Sequence, residues 1–366
     1  MIALFLILIQ SFLLAVHLFI GSRLDAWGAI PFFGVSWRLL FGTLSFAFPL
    51  FTFLIHNKKR PQWLEFLYIG SSLWLGIINV LFCLTLGAAL LFQFGFGEYR
   101  TLIANSLLLV SSLITMRGLL NVRRLETTAY PVALKKLPPA WEGKKLVFIS
   151  DLHLGAIWGR PRMSRIVDQI KQSNPEAVFL IGDIFDGPPA DYTDLSSPLS
   201  ELRPRLGCYF VNGNHESYRL NDPYTSALET HGVTILRDEV RDLEGIDLVG
   251  ADYLTTTSAR TYQQVLDRLS IRTDRPSILL KHIPTHIPQV VAKGISLQLS
   301  GHTHGGQLWP FPLFTHLIFR GFDRGLRREK GLQVITSDGA GTWGPPIRLG
   351  TRCEIVEITL HLDPSP

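Results

Sequence analysis

The sequence of 366 residues is poor in charge and in cysteine. Charged residues make up 18% of the chain, below the roughly 25% usual for soluble proteins, whereas apolar residues make up 47%. Such an apolar composition, on a chain long enough to bury a sizeable core, excludes intrinsic disorder. The shortage of charge also argues against a purely soluble protein.

The three cysteines exclude two classes of small-domain scaffold. Cys83 lies inside an apolar run, while Cys208 and Cys353 stand far apart without CxxC spacing. Neither a disulfide framework nor a zinc ribbon can be built from thiols placed in this way. The cysteines therefore give no reason to expect an oxidising compartment.

The missing charge is concentrated in the N-terminal third. Residues 1–125 hold nine Lys/Arg and three Asp/Glu, a net charge of +6, whereas residues 126–366 hold 26 and 27, a net charge of −1. Basic residues beside apolar stretches are typical of membrane proteins rather than of nucleic-acid-binding proteins. We therefore expect a lipid bilayer as a partner, and no nucleic acid.

Apolar stretches in this third predict four transmembrane helices: Ile2–Ile20, Leu39–Ile55, Phe66–Phe92 and Leu102–Met116. About 20 apolar residues cross a bilayer core, and a buried soluble bundle would show polar helix faces that these stretches lack. The first stretch is not preceded by Lys or Arg, and no cleavage site of small residues follows it. It is therefore predicted to be a retained helix rather than a signal peptide.

Basic residues between these stretches predict the orientation. Lys58–Arg60 lie between the second and third stretches, and Arg117, Arg123 and Arg124 follow or end the fourth. The positive-inside rule then predicts a multi-pass protein of the plasma or inner membrane with both termini in the cytoplasm. If Phe66–Phe92 crossed the membrane twice, the C-terminal part would lie on the other side.

The composition changes after residue 125. Residues 126–144, with the Pro-containing stretch Tyr130–Pro139, are predicted to be a linker between a membrane region (1–125) and a second domain (145–366). In that domain, amphipathic segments such as Arg162–Gln172 alternate with β-rich runs, which predicts an α/β fold. The predicted strands are Leu146–Ser150, Ala177–Ile181, Tyr209–Val211, Val233–Leu236, Asp247–Val249, Ile278–Leu280, Leu297–Leu299, Val334–Thr336 and Glu354–Thr359. Further predicted helices are Asn221–His231 and Thr261–Leu269.

Five of these strands are followed directly by metal-binding residue types. The runs are Asp151-Leu152-His153, Gly182-Asp183, Gly213-Asn214-His215-Glu216, Lys281-His282 and Gly301-His302-Thr303-His304. The carboxyl ends of strands are where α/β sheets place their sites. A mixed nitrogen and oxygen ligand set suits Mn, Fe or Zn better than Mg or Ca.

The ordered blocks D-x-H, G-D, G-N-H-E, H-x-P and G-H-x-H over residues 145–360 resemble the calcineurin-like metallophosphoesterase superfamily. The flanking sequences Gly301–Gln307 and Gly341–Arg348 are similar to its membrane-anchored bacterial phosphodiesterase branch. The resemblance implies a β-sandwich flanked by helices, and two divalent metal ions. Two such cations about 3.5–4 Å apart polarise a phosphoester and generate a bridging hydroxide that attacks it.

The resemblance also implies a role for each residue of the blocks. The first metal ion would be held by Asp151, His153 and His304, and the second by Asn214, His282 and His302. Asp183 would bridge the two ions. His215 would stabilise or protonate the leaving oxygen without binding metal.

Other candidates have simpler interpretations. Asp186 is predicted to be a turn or helix-cap residue. His282 and His286 each begin an H-I-P motif. Of the two, His282 is the predicted metal ligand because it follows a strand directly. Gly305 and Gly306 are interpreted as allowing close backbone approach to the metals rather than as a phosphate cradle. Core or surface positions are predicted for His17, His56, His231, His316 and His361.

The aromatic segment Leu308–Phe322 follows the last ligand block and leaves two interpretations open. It is either a loop packed on the core of its own domain or an apolar lip beside the metals. Arginines border it at Arg320, Arg324, Arg327 and Arg328. An apolar surface with a cationic rim suits an anionic lipid interface.

These observations favour a membrane-tethered phosphodiesterase or pyrophosphatase with two metal ions and a lipid-linked substrate. One alternative is a phosphomonoesterase that uses the same metals on a protein or a small molecule. Another is a metal-dependent membrane sensor, although the ligand set is complete. A transporter is disfavoured because the apolar stretches contain no carboxylates.

Overall fold

In the computed structural model, the chain divides into two units, each with a hydrophobic core of its own. The first unit is Met1–Asn121 with Gly344–Ile347, and the second is Val122–Trp343 with Arg348–Pro366. The structure describes residues 2–57, 61–187, 190–217 and 223–364.

Apolar helices make up the first unit. They are α1 (Ile2–Ala26), α2 (Trp37–Leu44), α3 (Ala47–Ile55), α4 (Trp63–Gln93) and α5 (Arg100–Arg123), with a 3₁₀ turn at Phe96–Tyr99. Four segments of the described chain are long and apolar enough to cross a membrane: Leu6–Ala26, Trp37–Ile55, Trp63–Gln93 and Phe96–Arg123. The prediction of four long apolar N-terminal helices is confirmed.

The third predicted span is one helix and not a hairpin. Trp63–Gln93 is continuous over 31 residues, which at 1.5 Å per residue is about 46 Å. That is longer than the hydrocarbon core of a bilayer, about 30 Å, so this helix can span with tilt. The basic run Lys58–Arg60, used to predict orientation, lies outside the described residues.

The start of α2 is fixed by a carboxylate from the end of α1. Asp25 accepts hydrogen bonds from the backbone N–H groups of Trp37 (2.8 Å) and Arg38 (3.0 Å). These amides have no partner inside their own helix, and an anion near a helix N-terminus is stabilising. Asp25 therefore joins two consecutive helices of this unit.

Strands and shorter helices alternate in the second unit. The strands are β1 (Leu125–Leu134), β2 (Lys145–Ile149), β3 (Ala177–Ile181), β4 (Cys208–Val211), β5 (Val233–Ile235), β6 (Glu239–Leu243), β7 (Ile246–Gly250), β8 (Ser277–Leu280), β9 (Leu297–Ser300), β10 (Gly325–Glu329), β11 (Leu332–Thr336) and β12 (Cys353–Leu362). The helices are α6 (Arg160–Ser173), α7 (Tyr192–Ser196), α8 (Asn214–Ser217), α9 (Pro223–Thr230), α10 (Ala259–Arg268), α11 (Ile287–Ala292) and α12 (Phe311–Ile318). Further 3₁₀ turns lie at Pro139–Trp141, Ser197–Glu201, Leu254–Thr256 and His304–Gly306.

Two six-stranded sheets contain these strands, in the orders β1-β12-β2-β3-β4-β5 and β10-β11-β9-β8-β7-β6. In the first sheet β2, β3, β4 and β5 are parallel, and in the second β7, β8, β9 and β11 are parallel. The central strands are apolar on both faces, as expected when both faces are covered.

Three apolar layers hold the second unit together. Residues of both sheets, such as Phe148 and Ile278, form one buried cluster. The opposite face of the first sheet packs against α6 and α9, as Ile166 and Leu228 show. The second sheet is covered by α10 and α11. The predicted β-sandwich flanked by helices is confirmed.

The segment 126–144, predicted to be a linker, contains most of β1 and is corrected here. Leu125–Leu134 pairs in parallel with Cys353–Leu362 over ten residues. Pro131 suggests a linker because it cannot donate a ladder hydrogen bond. β1 is an edge strand, however, where a missing N–H can face away from the sheet.

Candidate metal centre

Five parallel strands deliver the predicted ligands to one place. β2, β3 and β4 end before Asp151, Asp183 and Asn214, and β8 and β9 end before His282 and His302. Backbone hydrogen bonds continue between the loops beyond the strand ends. The N–H of Asp151 donates to the carbonyl of Gly182 (3.1 Å), and that of Gly301 donates to the carbonyl of His282 (2.9 Å).

Asp151, His153 and His304 form the first ligand group, a set of side chains whose donor atoms could hold one metal ion. Nε2 of His153 lies 3.1 Å from Nε2 of His304, and that nitrogen lies 3.6 Å from Oδ1 of Asp151. All three residues are buried. These are the three residues predicted to hold the first metal ion.

Asp183, His282 and His302 form the second group, and Asn214 adjoins it. Nε2 of His282 lies 3.2 Å from Oδ2 of Asp183 and 3.3 Å from Nδ1 of His302. The same Nδ1 lies 2.9 Å from Oδ1 of Asn214. The structure thus brings together every residue predicted to hold the second ion.

Asp183 lies between the two groups. Its Oδ2 is 3.2 Å from Nε2 of His282 and 4.0 Å from Nε2 of His153, which belongs to the first group. Its Oδ1 accepts the backbone N–H of His215 at 2.9 Å, which fixes the rotation of the carboxylate. One oxygen therefore faces both ligand groups.

The spacing of these atoms fits bound cations. Ligands at about 2.0–2.2 Å from one metal ion lie roughly 3–3.5 Å from each other in tetrahedral or octahedral geometry. The pairs within the groups, at 2.9 to 3.6 Å, match that spacing. Burial lowers the pKa of His302 to about 3 and holds the pKa of His304 well below its usual value. Both rings are therefore neutral near pH 7. Burial opposes protonation of His282 as well, but the adjacent Asp183 carboxylate raises its pKa to about 10, so a metal ion bound there would displace a proton.

Two glycines of the motifs are required by close approach to a ligand. A Cβ on Gly213 would lie 2.1 Å from Oδ1 of Asp183, and a Cβ on Gly301 would lie 2.3 Å from Oδ2 of Asp151. Any other residue would displace the carboxylate. The glycines therefore belong to the construction of the site.

Left-handed backbone conformation is common among the ligands. Asp151, His153, Asp183, His302 and His304 all have φ between +50° and +72°. Such values are uncommon for residues other than glycine, and strained conformations of this kind cluster at functional sites. These residues form tight turns just after the strand ends, and the turns bring their side chains together at one site.

The ring of His215 lies at the edge of the metal centre and contacts the carboxylate of Asp186. Its Nδ1 lies 2.8 Å from Oδ1 of Asp186, and its Nε2 lies 4.0 Å from Oδ2 of Asp183. Burial opposes protonation, but the hydrogen bond with Asp186 and the charge of Asp183 raise the pKa of His215 to about 9.

The prediction for Asp186 needs correction. Asp186 caps no helix, since the cap of the next helix is Asp191. It does accept the N–H of Gly187, as turn residues do. Its second oxygen, however, lies 3.2 Å from Nδ1 of His153. Asp186 therefore orients two histidines at once, which its spacing from Asp183 alone did not reveal.

Glu216 has a structural role that its place in the G-N-H-E block did not specify. Its buried carboxylate accepts backbone N–H groups from both loops at distances of 2.8 to 3.2 Å. The donors are Asp183, Ile184, Phe185 and Gly213. Glu216 therefore joins the loop after β3 to the loop after β4 through hydrogen bonds.

Arg348, from the second flanking motif, supports the last ligand. Its guanidinium is fully buried and donates to the carbonyls of His304 (3.2 Å), Asp338 (2.6 Å) and Gly341 (2.7 Å). It also lies 3.3 Å from Nδ1 of His304. A charged side chain is buried only when such partners satisfy it, so Arg348 fixes the loop that carries His304.

His286 belongs to neither ligand group. It is the N-cap of α11 and lies near the ring of Tyr262, with 6.0 Å between the ring centroids. The other histidines assigned to core or surface positions also have local partners. Three of them contact backbone carbonyls through a ring nitrogen: His17 that of Leu13, His56 that of Thr52 and His231 that of Thr193. The other two contact carboxylates: His316 that of Asp323 and His361 that of Glu142.

The ends of the segment Leu308–Phe322 pack on the domain, since Leu308 is buried and Phe322 packs against a core cluster, whereas its middle does not. Its middle forms α12, which contains no buried residue. Trp309 and Phe314 are each 53% exposed, and Leu317 is 74% exposed. The ring of Phe319, just beyond the helix, lies 6.1 Å from that of His302. An exposed apolar helix therefore stands beside the ligand groups.

Comparisons with known proteins identify one family. A sequence profile described as "Calcineurin-like phosphoesterase" matches residues 144–306. A "Transmembrane protein with metallophosphoesterase domain" from Danio rerio is 32% identical over 281 residues, which cover 72% of this chain and 63% of that protein. A protein of the same description from Bos taurus is 31% identical, and the match covers 62% of that protein. An "Uncharacterized metallophosphoesterase" from Aquifex aeolicus is 32% identical over 243 residues, covering 64% of this chain and 92% of that protein. The chain thus spans less than two thirds of the first two relatives.

Proposed function

Because the chain belongs to the calcineurin-like phosphoesterase family, whose members hydrolyse phosphoesters at a dimetal centre, we propose that it is a membrane-tethered phosphodiesterase or pyrophosphatase. The observation that carries the proposal is the position of Asp183, whose Oδ2 faces both ligand groups. A bridging carboxylate of this kind holds two cations at the separation needed for phosphoryl chemistry.

Seven side chains hold the two ions in this proposal. Asp151, His153 and His304 bind one, Asn214, His282 and His302 bind the other, and Asp183 binds both. The ions are Mn, Zn or Fe, given the mixed nitrogen and oxygen donors. When bound, they neutralise phosphoryl oxygens and make a deprotonated water available near neutral pH.

His215 acts on the leaving group. Its Nε2 is directed toward Asp183 and hence toward the space between the ligand groups. Its Nδ1 is engaged with Asp186, so the ring cannot turn away. Donation of the Nε2 proton to the departing oxygen is the role that this geometry supports.

In this proposal the membrane helices tether the catalytic domain to a bilayer, and the domain lies on the cytoplasmic side. Arg123, in the last turn of α5, and Arg117, two turns from its end, are basic residues that the positive-inside rule assigns to the cytoplasm. The run Lys58–Arg60 contributes to the same assignment from the sequence.

The substrate in this proposal is lipid-linked. The support for it is α12, an exposed apolar helix that follows the ligand His304 by only seven residues. A soluble substrate gives no reason to keep exposed aromatic side chains at that position. A substrate carried in a bilayer does, because these side chains then meet lipid rather than water.

Turnover by the purified full-length protein in the presence of Mn, Zn or Fe tests the proposal. The substrates are a nitrophenyl phosphodiester, a nitrophenyl phosphomonoester and a lipid-linked pyrophosphate. We expect the diester and the pyrophosphate to be hydrolysed faster than the monoester. Preference for the monoester would instead favour the phosphomonoesterase alternative. Absence of all turnover would overturn the enzymatic proposal.

A further inference from the structure

A cleft beside the metal centre is lined by residues that belong to neither ligand group. It has a volume of about 660 Å³ and is lined by residues from 284–292, 318–322 and 329–330. Most of the lining side chains are apolar. Volumes of about 300 to 1,000 Å³ are typical of sites that enclose a small organic ligand.

One lining residue of the cleft lies near His302, a predicted ligand of the second metal ion. Phe319 lines the cleft, and its ring is 6.1 Å from that of His302. Pro284, another lining residue, is two residues beyond His282 in the sequence. These two residues connect the cleft to the neighbourhood of the second ligand group.

The cleft continues onto the apolar surface of α12. Ile318, the last residue of that helix, lines the cleft and is 72% exposed. Its neighbour Leu317 is also largely exposed. An apolar path thus runs from an exposed helix, through the cleft, to the neighbourhood of the second ligand group.

The charges at the cleft suit an anionic amphiphile. Arg320 and Lys330 contribute two cations, and Glu329 contributes one carboxylate. The remaining lining is largely apolar, so a peptide would bury backbone amides that have few partners there. A hydrocarbon chain has no such groups and gains free energy from every methylene that leaves water.

We infer that the cleft binds the hydrocarbon chain of a lipid phosphoester whose phosphate lies at the metal centre. The inference rests on the proposed function and extends it by assigning a site to the chain of the substrate. The lipid enters from the side of α12, and its chain lies between α11 and the segment that carries Phe319.

A series of nitrophenyl alkyl phosphates, from ethyl to decyl, tests this assignment with the full-length protein. Each added methylene that enters the cleft should raise kcat/KM by about fourfold until the cleft is full. Ala292→Trp places a large ring in the cleft from an exposed position at the end of α11. This variant should hydrolyse the ethyl ester normally and lose the dependence on chain length.

Ala259→Trp is the matched control. Ala259 is also an exposed alanine of a helix, at the start of α10, and does not line the cleft. Ala259→Trp should keep the full dependence on chain length. A dependence that is absent in the wild type, or that survives unchanged in Ala292→Trp, would overturn the assignment of the cleft.

Binding without turnover separates this inference from the proposed function. By calorimetry, the wild type and Ala259→Trp should bind decylphosphonate at least tenfold more tightly than ethylphosphonate, and Ala292→Trp should not. If no ester is hydrolysed but this difference is found, the hydrolase proposal fails and the chain site stands. If the esters are hydrolysed and the difference is missing, the chain site is wrong and the hydrolase proposal stands.

Discussion

Asp186 holds His215 in place: its Oδ1 lies 2.8 Å from Nδ1 of the imidazole, while its other oxygen lies 3.2 Å from Nδ1 of His153. The same carboxylate thus orients a residue of the first ligand group and the proposed proton donor. A carboxylate behind a metal-binding histidine fixes its tautomer and raises its basicity. Here that arrangement serves a second histidine as well.

His215→Ala should lower kcat by about 10²- to 10⁴-fold, the usual contribution of general acid catalysis. Both metal ions should remain bound, since neither ligand group needs this ring. Metal analysis alongside the rate measurement checks the prediction. Loss of an ion together with the activity would make His215 a ligand and contradict the role proposed for it.

Asp183→Asn should weaken both metal sites together. The substitution keeps the size of the side chain but removes the charge of the oxygen that faces both groups. Elemental analysis after dialysis should give well under two ions per chain. Asp151→Asn is the control, because it should affect mainly the first site. Full occupancy of Asp183→Asn would show that this residue does not bridge.

Glu216→Gln should destabilise the domain. A glutamine has one acceptor oxygen where Glu216 has two, and its NH₂ group would face backbone N–H donors. Loss of two such charged hydrogen bonds in a buried position costs about 2–4 kcal/mol. The midpoint of thermal unfolding should fall accordingly. Glu201→Gln removes an exposed ion pair with Lys171 and should leave the midpoint unchanged.

A reporter fused after residue 366 should register as cytoplasmic. The prediction follows from the basic ends of the apolar segments and from the continuity of α4, which as a single helix is expected to cross once. Residues 58–60 should then be inaccessible to a membrane-impermeant reagent added outside. A reporter signal from outside would reverse the orientation of the catalytic domain.

Replacing Trp309, Phe311 and Phe314 together by serine should impair turnover of a substrate embedded in vesicles. Each large apolar side chain that enters lipid contributes about 1.5–3 kcal/mol. Hydrolysis of a small soluble diester should stay nearly intact, because these residues are exposed and support no core. Equal loss on both substrates would mean that the helix stabilises the domain rather than contacting lipid.

Much of this architecture could be predicted from local sequence. The runs before Asp183 and His282 are apolar and β-branched, so they indicated buried strands, and the polar residues after them marked the edge of a sheet. Charge-free stretches similarly indicated the long apolar helices. Both signals are local, because a few consecutive residues decide between a buried and an exposed environment.

What the sequence did not reveal depends on distant partners. β1 exists because β12, more than 200 residues away, offers it a ten-residue register. Arg348 lies 44 residues after His304 in the sequence, so its contact with the loop of His304 is visible only in the folded chain. The exposure of α12 was likewise undecided, since an aromatic segment has the same composition in a core or on a surface.

The left-handed turns at the ligands have an evolutionary consequence. A non-glycine residue in this conformation costs roughly 1–2 kcal/mol, and Asp151, His153, Asp183, His302 and His304 all adopt it. Glycine at any of them would relax the backbone and abolish a ligand. Selection for stability alone would therefore drive these five positions toward glycine. A chain that no longer needed to bind metal would therefore be expected to gain folding stability by replacing these residues with glycine.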